Sequence, residues 1–261
     1  MTSSTRAGAA VGVAAALALA GCGGGGGGGG DGGFGTDVQP AEGAYSGTLS
    51  GGTATAFDLV VLEDGTYWAM LGERSAGALR VTGFVQGKGV AGAGSTFASS
   101  DARDFTSAPA QRGSLSATFD ALTRSITGTM AFAPQTLTFA SGPIPASPYR
   151  YDEPAVLSTL AGAWSLAQLD GTPASLSVDD AGGFTATTAT GCGFSGTARP
   201  RRSGRNVFDL ALVFGPSPCS LPDQPASGIA LAYPLAGGQT QLVVLTVDAT
   251  RTMGVGAVGR R

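Results

Sequence analysis

Histidine is absent from this 261-residue sequence, lysine and asparagine each occur once, as Lys88 and Asn206, and only 13% of residues are charged. Without imidazole there is no Ser-His or Cys-His nucleophile pair, no imidazole metal ligand and no imidazole general base. A large share of enzyme classes falls with it, and we expect neither an enzyme nor a bound metal or cofactor. Charge of either sign forms no long run, and the formal net charge is −3, so nucleic acid is not an expected partner. Arginine in place of lysine, with abundant Ala and Gly, reads as GC-rich coding bias. So low a charge content is unusual for a cytosolic protein and suits the cell envelope. Long hydrophobic runs are also scarce. The stretch Ala7 to Ala20 has the length of a signal-peptide core and is too short to span a bilayer as a stable helix.

What is present begins at that leader. Met1 and Arg6 supply its positive end, and it runs into Leu19-Ala20-Gly21-Cys22. This tetrad resembles the lipobox of bacterial lipoproteins, with a branched residue three before the cut, small residues next, and an obligatory Cys after it. The resemblance implies that residues 1–21 are a signal peptide, that cleavage falls between Gly21 and Cys22, and that Cys22 carries diacylglycerol and an N-acyl chain such as palmitate. Several chains on one residue anchor it stably where one would not. The membrane is then the first expected partner and an envelope or surface protein the second. Gly23, where inner-membrane lipoproteins tend to carry Asp, points to the outer membrane.

Gly23 to Gly30 are consecutive glycines, followed by Asp31, Gly32, Gly33, Phe34 and Gly35. Such a composition cannot bury apolar surface or repay backbone entropy. We expect residues 22–42 to be a disordered tether with an r.m.s. reach of roughly 25 Å. Its match to G-x-G-x-x-G has no strand before it and no helix after it, and is void as a nucleotide site.

After Glu42 the pattern turns to short period-two segments broken by Gly, Asp and Ser, which predicts an all-β fold. Expected strands are 44–49, 54–62, 66–71, 79–85, 114–119, 125–132 and 136–140. Leu115, Ala117 and Phe119 should share one face, as should Ile126, Gly128, Met130 and Phe132. The segment Ser141 to Pro154 holds four prolines, none able to donate to a ladder, so 43–140 is expected to be one β body, 141–155 a connector and 156–261 a second body. Strands there are expected at 162–167, 174–178, 184–190, 194–199, 206–214, 228–233, 241–247 and 253–258, with Phe208, Leu210, Leu212 and Phe214 the clearest apolar stripe.

The bodies echo one another. Gly43-Ala44-Tyr45-Ser46 returns as Gly162-Ala163-Trp164-Ser165, and Thr123-Arg124 after Asp120-Ala121 returns as Thr250-Arg251 after Asp248-Ala249. We expect two small antiparallel barrels or sandwiches related by a degenerate duplication, with one continuous sandwich or barrel as the alternative. A meander whose first and last strands meet would remove both edges. The G-x-W placement with a late Arg resembles lipocalin-like barrels. That resemblance implies Trp164 packed at a barrel end beneath Arg251, and Tyr45 with Arg124 in the first body. A poly-Gly tether followed by Gly43, Tyr45 and Gly47 is also similar to surface lipoproteins of the transferrin-binding and factor-H-binding type. Those have longer, Lys-rich domains, so the resemblance implies architecture and not ligand.

With Cys22 lipidated, Cys192 and Cys219 remain as an even pair in an oxidising compartment and are expected to form a disulfide, contributing roughly 3.5 kcal/mol by chain entropy. C-x-x-C spacing is absent, which argues against a redox pair. The Gly-rich stretches at 87–92 and 191–196 lie among short strands and read as turns or bulges. Asp179-Asp180 and Glu63-Asp64 fall in turns, where solvated acids are ordinary. Arg199, Arg201, Arg202 and Arg205 form the only dense charge, read as a solvated hairpin tip, or as a contact for lipid phosphates or acidic glycans. Trp68 and Trp164 would pack in a core or stack on a ligand. The leading reading is a non-enzymatic binding or structural lipoprotein. Its rival is a lipocalin-like carrier of a small apolar ligand, which needs an open apolar cavity where the first reading needs a filled one.

Overall fold

The computed structural model describes residues 38–75, 77–141 and 149–261, and the described residues fold as two closed antiparallel barrels. The leader, Gly21, Cys22 and most of the tether lie outside those residues. In the first barrel β1 (Gly43–Ser50), β2 (Ala56–Val61), β3 (Thr66–Ser75) and β4 (Ala78–Lys88) follow one another as hairpins. After Gly89 the chain continues as β5 (Val90–Gly92), then turns into β6 (Thr96–Asp104), β7 (Gln111–Asp120), β8 (Ser125–Phe132) and β9 (Gln135–Ser141). β9 returns to β1, with Thr48 opposite Ala140, and β4 meets β6, closing the ring. Alternation decides which side faces in: Leu115, Ala117, Phe119, Ile126, Met130 and Phe132 are buried as expected. Gly128 shares that stripe by alternation, and the backbone of β7 leaves no room for a side chain there, since a Cβ would lie 2.2 Å from the Ser116 carbonyl oxygen.

The second barrel is β10 (Gly162–Gln168), β11 (Pro173–Val178), β12 (Gly183–Thr188), β13 (Gly193–Pro200), β14 (Phe208–Phe214), β15 (Pro225–Pro234), β16 (Thr240–Asp248) and β17 (Gly254–Arg260). Each strand pairs with the next, and β17 closes on β10 with Leu166 opposite Gly259. The stripe of Phe208, Leu210, Leu212 and Phe214 points inward and is buried. Gly162, at φ +104°, sets the entry into β10 with a backbone conformation that side chains disfavour.

Each barrel has its own core, and a third apolar cluster lies between them. The outward faces of β2, β3 and β4, including Val60, Trp68 and Phe84, pack on those of β15 and β16, including Ile229, Leu231 and Leu245. Trp68, Phe84 and Phe105 form a stack with centroid spacings of 6.0 and 4.8 Å, which rests on Gly254 of β17. Both barrels belong to one compact unit. Ahead of β1, Ala41 is buried and Glu42 is paired to Arg205, so packing begins two residues before the expected start of the first body at Gly43.

Candidate functional site

The aromatic that opens each barrel is held in the same way. Tyr45 donates its hydroxyl to the Ala41 carbonyl at 2.8 Å, and Trp164 donates its indole N–H to the Leu160 carbonyl at 2.7 Å, each four residues back. Both rings are buried. Burial pushes the Tyr45 hydroxyl up to about 12, with the neighbouring Arg124 pulling the other way. Arg124 Nη1 and the Tyr45 hydroxyl lie 3.4 and 3.5 Å from the position a Cβ on Gly43 would take, so the two side chains meet at this barrel end, as the lipocalin-like resemblance implied.

The corresponding expectation for Trp164 is corrected. Its cation is Arg261, whose guanidinium carbon lies 3.9 Å from the ring centroid and which donates to the carbonyls of Ala161 and Thr159 at 2.7 and 2.9 Å. Arg251 is bonded instead to Gln86 and Asp101 of the first barrel. Up-and-down topology explains the difference. In an eight-strand meander the turns after strands two, four and six lie at the end where strand one begins, and the turn after strand seven lies at the other. Arg124 follows the sixth strand of its ring and Arg251 the seventh of its own. Two echoes that look equivalent in sequence thus occupy opposite ends.

Two of the four clustered arginines are absorbed by the fold. Arg201 bonds Glu63 at 3.0 Å and Asp209 at 2.7 Å, and Asp64 lies 3.6 Å away. Burial alone would raise the Glu63 pKa, but the Arg201 hydrogen bond holds it below the usual carboxylate range. Asp64 is also lowered, burial being outweighed by hydrogen bonds to Thr66 and by the Arg201 charge. Arg205 pairs with Glu42 and Asp152 and lies over Tyr151. Arg201 and Arg205 therefore join the barrels, while Arg199 and Arg202 of the same cluster face solvent.

Side chains pack at both ends of the second barrel. Leu160 and Trp164 are buried at the end where β10 begins, with Arg261 over the Trp164 ring. At the other, the Cys192–Cys219 disulfide ties the β12–β13 turn to the β14–β15 loop, both cysteines are buried in the core, and Leu221 packs beside them. Between the ends lies a void of about 40 Å³, lined by Leu166, Leu176, Phe184, Leu212 and other apolar side chains, with Gln168 and Thr246 the polar members. Pockets that hold small organic ligands run to roughly 300–1,000 Å³, so this void does not supply what a carrier needs. Two open hollows on the outer face, of about 330 and 530 Å³, are lined by short side chains such as Ser165, Ser175, Thr185 and Ser195. Among the described residues no three His, Cys, Asp or Glu converge as metal ligands.

The inter-barrel surface was not anticipated, although a signal existed. Tyr67 to Leu71 and Leu242 to Leu245 are unbroken apolar runs, which is how a strand reads when buried on both faces, whereas a half-exposed strand alternates.

No protein-family model matches the sequence, and no curated protein matches it. Solved structures that match include a candidate outer membrane protein of Bacteroides fragilis, 14% identical over 84% of this chain and 96% of that one, with a TM-score of 0.27. A DUF3598-family protein of unknown function from Nostoc punctiforme is 15% identical over 84% of this chain and 93% of its own, at 0.23. Transferrin binding protein B from Haemophilus parasuis is 10% identical over 82% of this chain and 62% of its own, at 0.25. At these scores the likeness assigns neither a family nor a function.

Proposed function

We propose that this chain is an envelope lipoprotein, anchored through Cys22 to the outer membrane, whose double barrel is a non-enzymatic binding or structural module acting through its outer surface. The observation that carries the contact reading over carriage is the filled interior. Aromatic side chains occupy the first barrel, and the void in the second is about 40 Å³. The anchor rests on the resemblance of Leu19 to Cys22 to a lipobox, and the glycine run after it would hold the barrels off the headgroups. Loops and faces on a rigid scaffold are where binding residues concentrate.

Changing Cys22→Ser tests the anchor. The variant is expected to leave the membrane fraction and to lack the mass of the lipid. A variant that stays membrane-bound with unchanged mass and processing contradicts lipidation at this residue.

A further inference from the structure

We propose that the break in β6 is a guanidinium-recognition site in the wall of the first barrel, which the chain fills with its own Arg251 so that the second barrel latches onto the first. The register of β6 against β7 shifts between Ser99 and Ala102. On its other side β6 meets β4 only at Val85 with Asp104 and Gln86 with Arg103, before β5 takes over the pairing. Side chains close the interval. Ser99 donates to the Lys88 carbonyl at 2.7 Å, and Arg251 enters from the second barrel.

All three guanidinium nitrogens of Arg251 are used. Nε donates to Gln86 Oε1 at 2.6 Å, Nη1 to Asp101 Oδ2 at 2.6 Å, and Nη2 to the backbone carbonyls of Gln86 and Asp101 at 3.2 and 2.9 Å. Every acceptor belongs to the first barrel. Gln86 is buried, and the other oxygen of Asp101 is oriented by Arg103 at 3.6 Å. Four acceptors drawn from two strands match a rigid planar fork, and a compact ammonium cannot span them. The β16–β17 turn presents the side chain ready-made. Asp248 accepts from the backbone N–H groups of Thr250, Thr252 and Met253, and Arg251 holds φ 55°. Beside it, the Ala110 N–H donates to the Thr252 carbonyl at 2.8 Å, a second bond across the same contact.

Amide hydrogen exchange on the full chain tests the site. Arg251→Ala is expected to speed exchange in β4 and β6 around Gln86 and Asp101 by at least about tenfold. Millimolar methylguanidinium should restore protection, and methylammonium at the same concentration should not. Arg251→Lys, which keeps the charge, should behave as the alanine variant does. Asp101→Asn, close to isosteric, should speed exchange at the same amides and leave β10 to β14 unchanged, which keeps the test open if Arg251→Ala does not fold. Unchanged exchange at these amides in Asp101→Asn and Arg251→Lys, or equal rescue by the two cations, overturns the proposal.

Discussion

Trp164 is fixed by groups of its own barrel: the Leu160 carbonyl takes its N–H and Arg261 covers its face. Arg261→Ala, in a Trp68→Phe background that leaves one indole, should shift Trp164 emission to the red and cost about 1 kcal/mol in thermal unfolding. Arg251→Ala should leave that emission in place, and a red shift there would restore the pairing that the sequence suggested. The ion pair of Glu63 with Arg201 is a second residue-scale test. The Glu63 pKa is lowered in the fold, so its contribution is complete above the unfolded value near 4.3 and is lost as pH falls through the lower folded value. The difference in Tm between the parent and Glu63→Gln should therefore persist from about pH 5 to 8 and shrink as pH falls below about 4.3, the unfolded value. A difference that grew on acidification would contradict the assignment. At this scale the sequence made the cysteine pair legible by elimination. It could not show which acids the arginines meet, because Glu42, Glu63 and Asp152 are brought to Arg201 and Arg205 only by the docking of one barrel on the other.

Strands with one wet face were readable, and those with unusual surroundings were not. β8 and β14 alternate cleanly and fall where the period-two pattern placed them. β6 was missed because its inward residues change parity at the bulge, from Phe97 and Ser99 to Ala102 and Asp104, so no alternation survives over its length. β3, β15 and β16 were found, but their second apolar face, the one that joins the barrels, went unread. Gly254 is the element-scale probe of that face. A Cβ there would lie 2.5 Å from a ring carbon of Phe105 and 2.6 Å from one of Phe84. Gly254→Val should cost about 1–3 kcal/mol by overpacking and speed amide exchange in β4 and β16, while Trp164 emission holds. If stability is unchanged, the stack of Trp68, Phe84 and Phe105 does not bear on β17 as described.

Over the whole molecule, the echo that opens each body has a common structural meaning, an aromatic bonded to the carbonyl four residues back at a barrel end. The closing echo does not, since its two arginines follow strands of different rank. Legibility therefore tracked the range of the forces involved. Local alternation gave the strands, and the number of strands, which decides the end at which each turn lies, required the closed rings. The functional reading turns on one consequence of that closure, barrels full of their own side chains and so free to act only through their surfaces. Native mass spectrometry of the folded residues 36–261, purified without denaturant from the cells that make the protein and freed by proteolysis of what precedes them, tests this most directly. The measured mass should equal that of the polypeptide with its single disulfide. A stoichiometric apolar adduct, released only on unfolding, would contradict the account and make the second barrel a carrier.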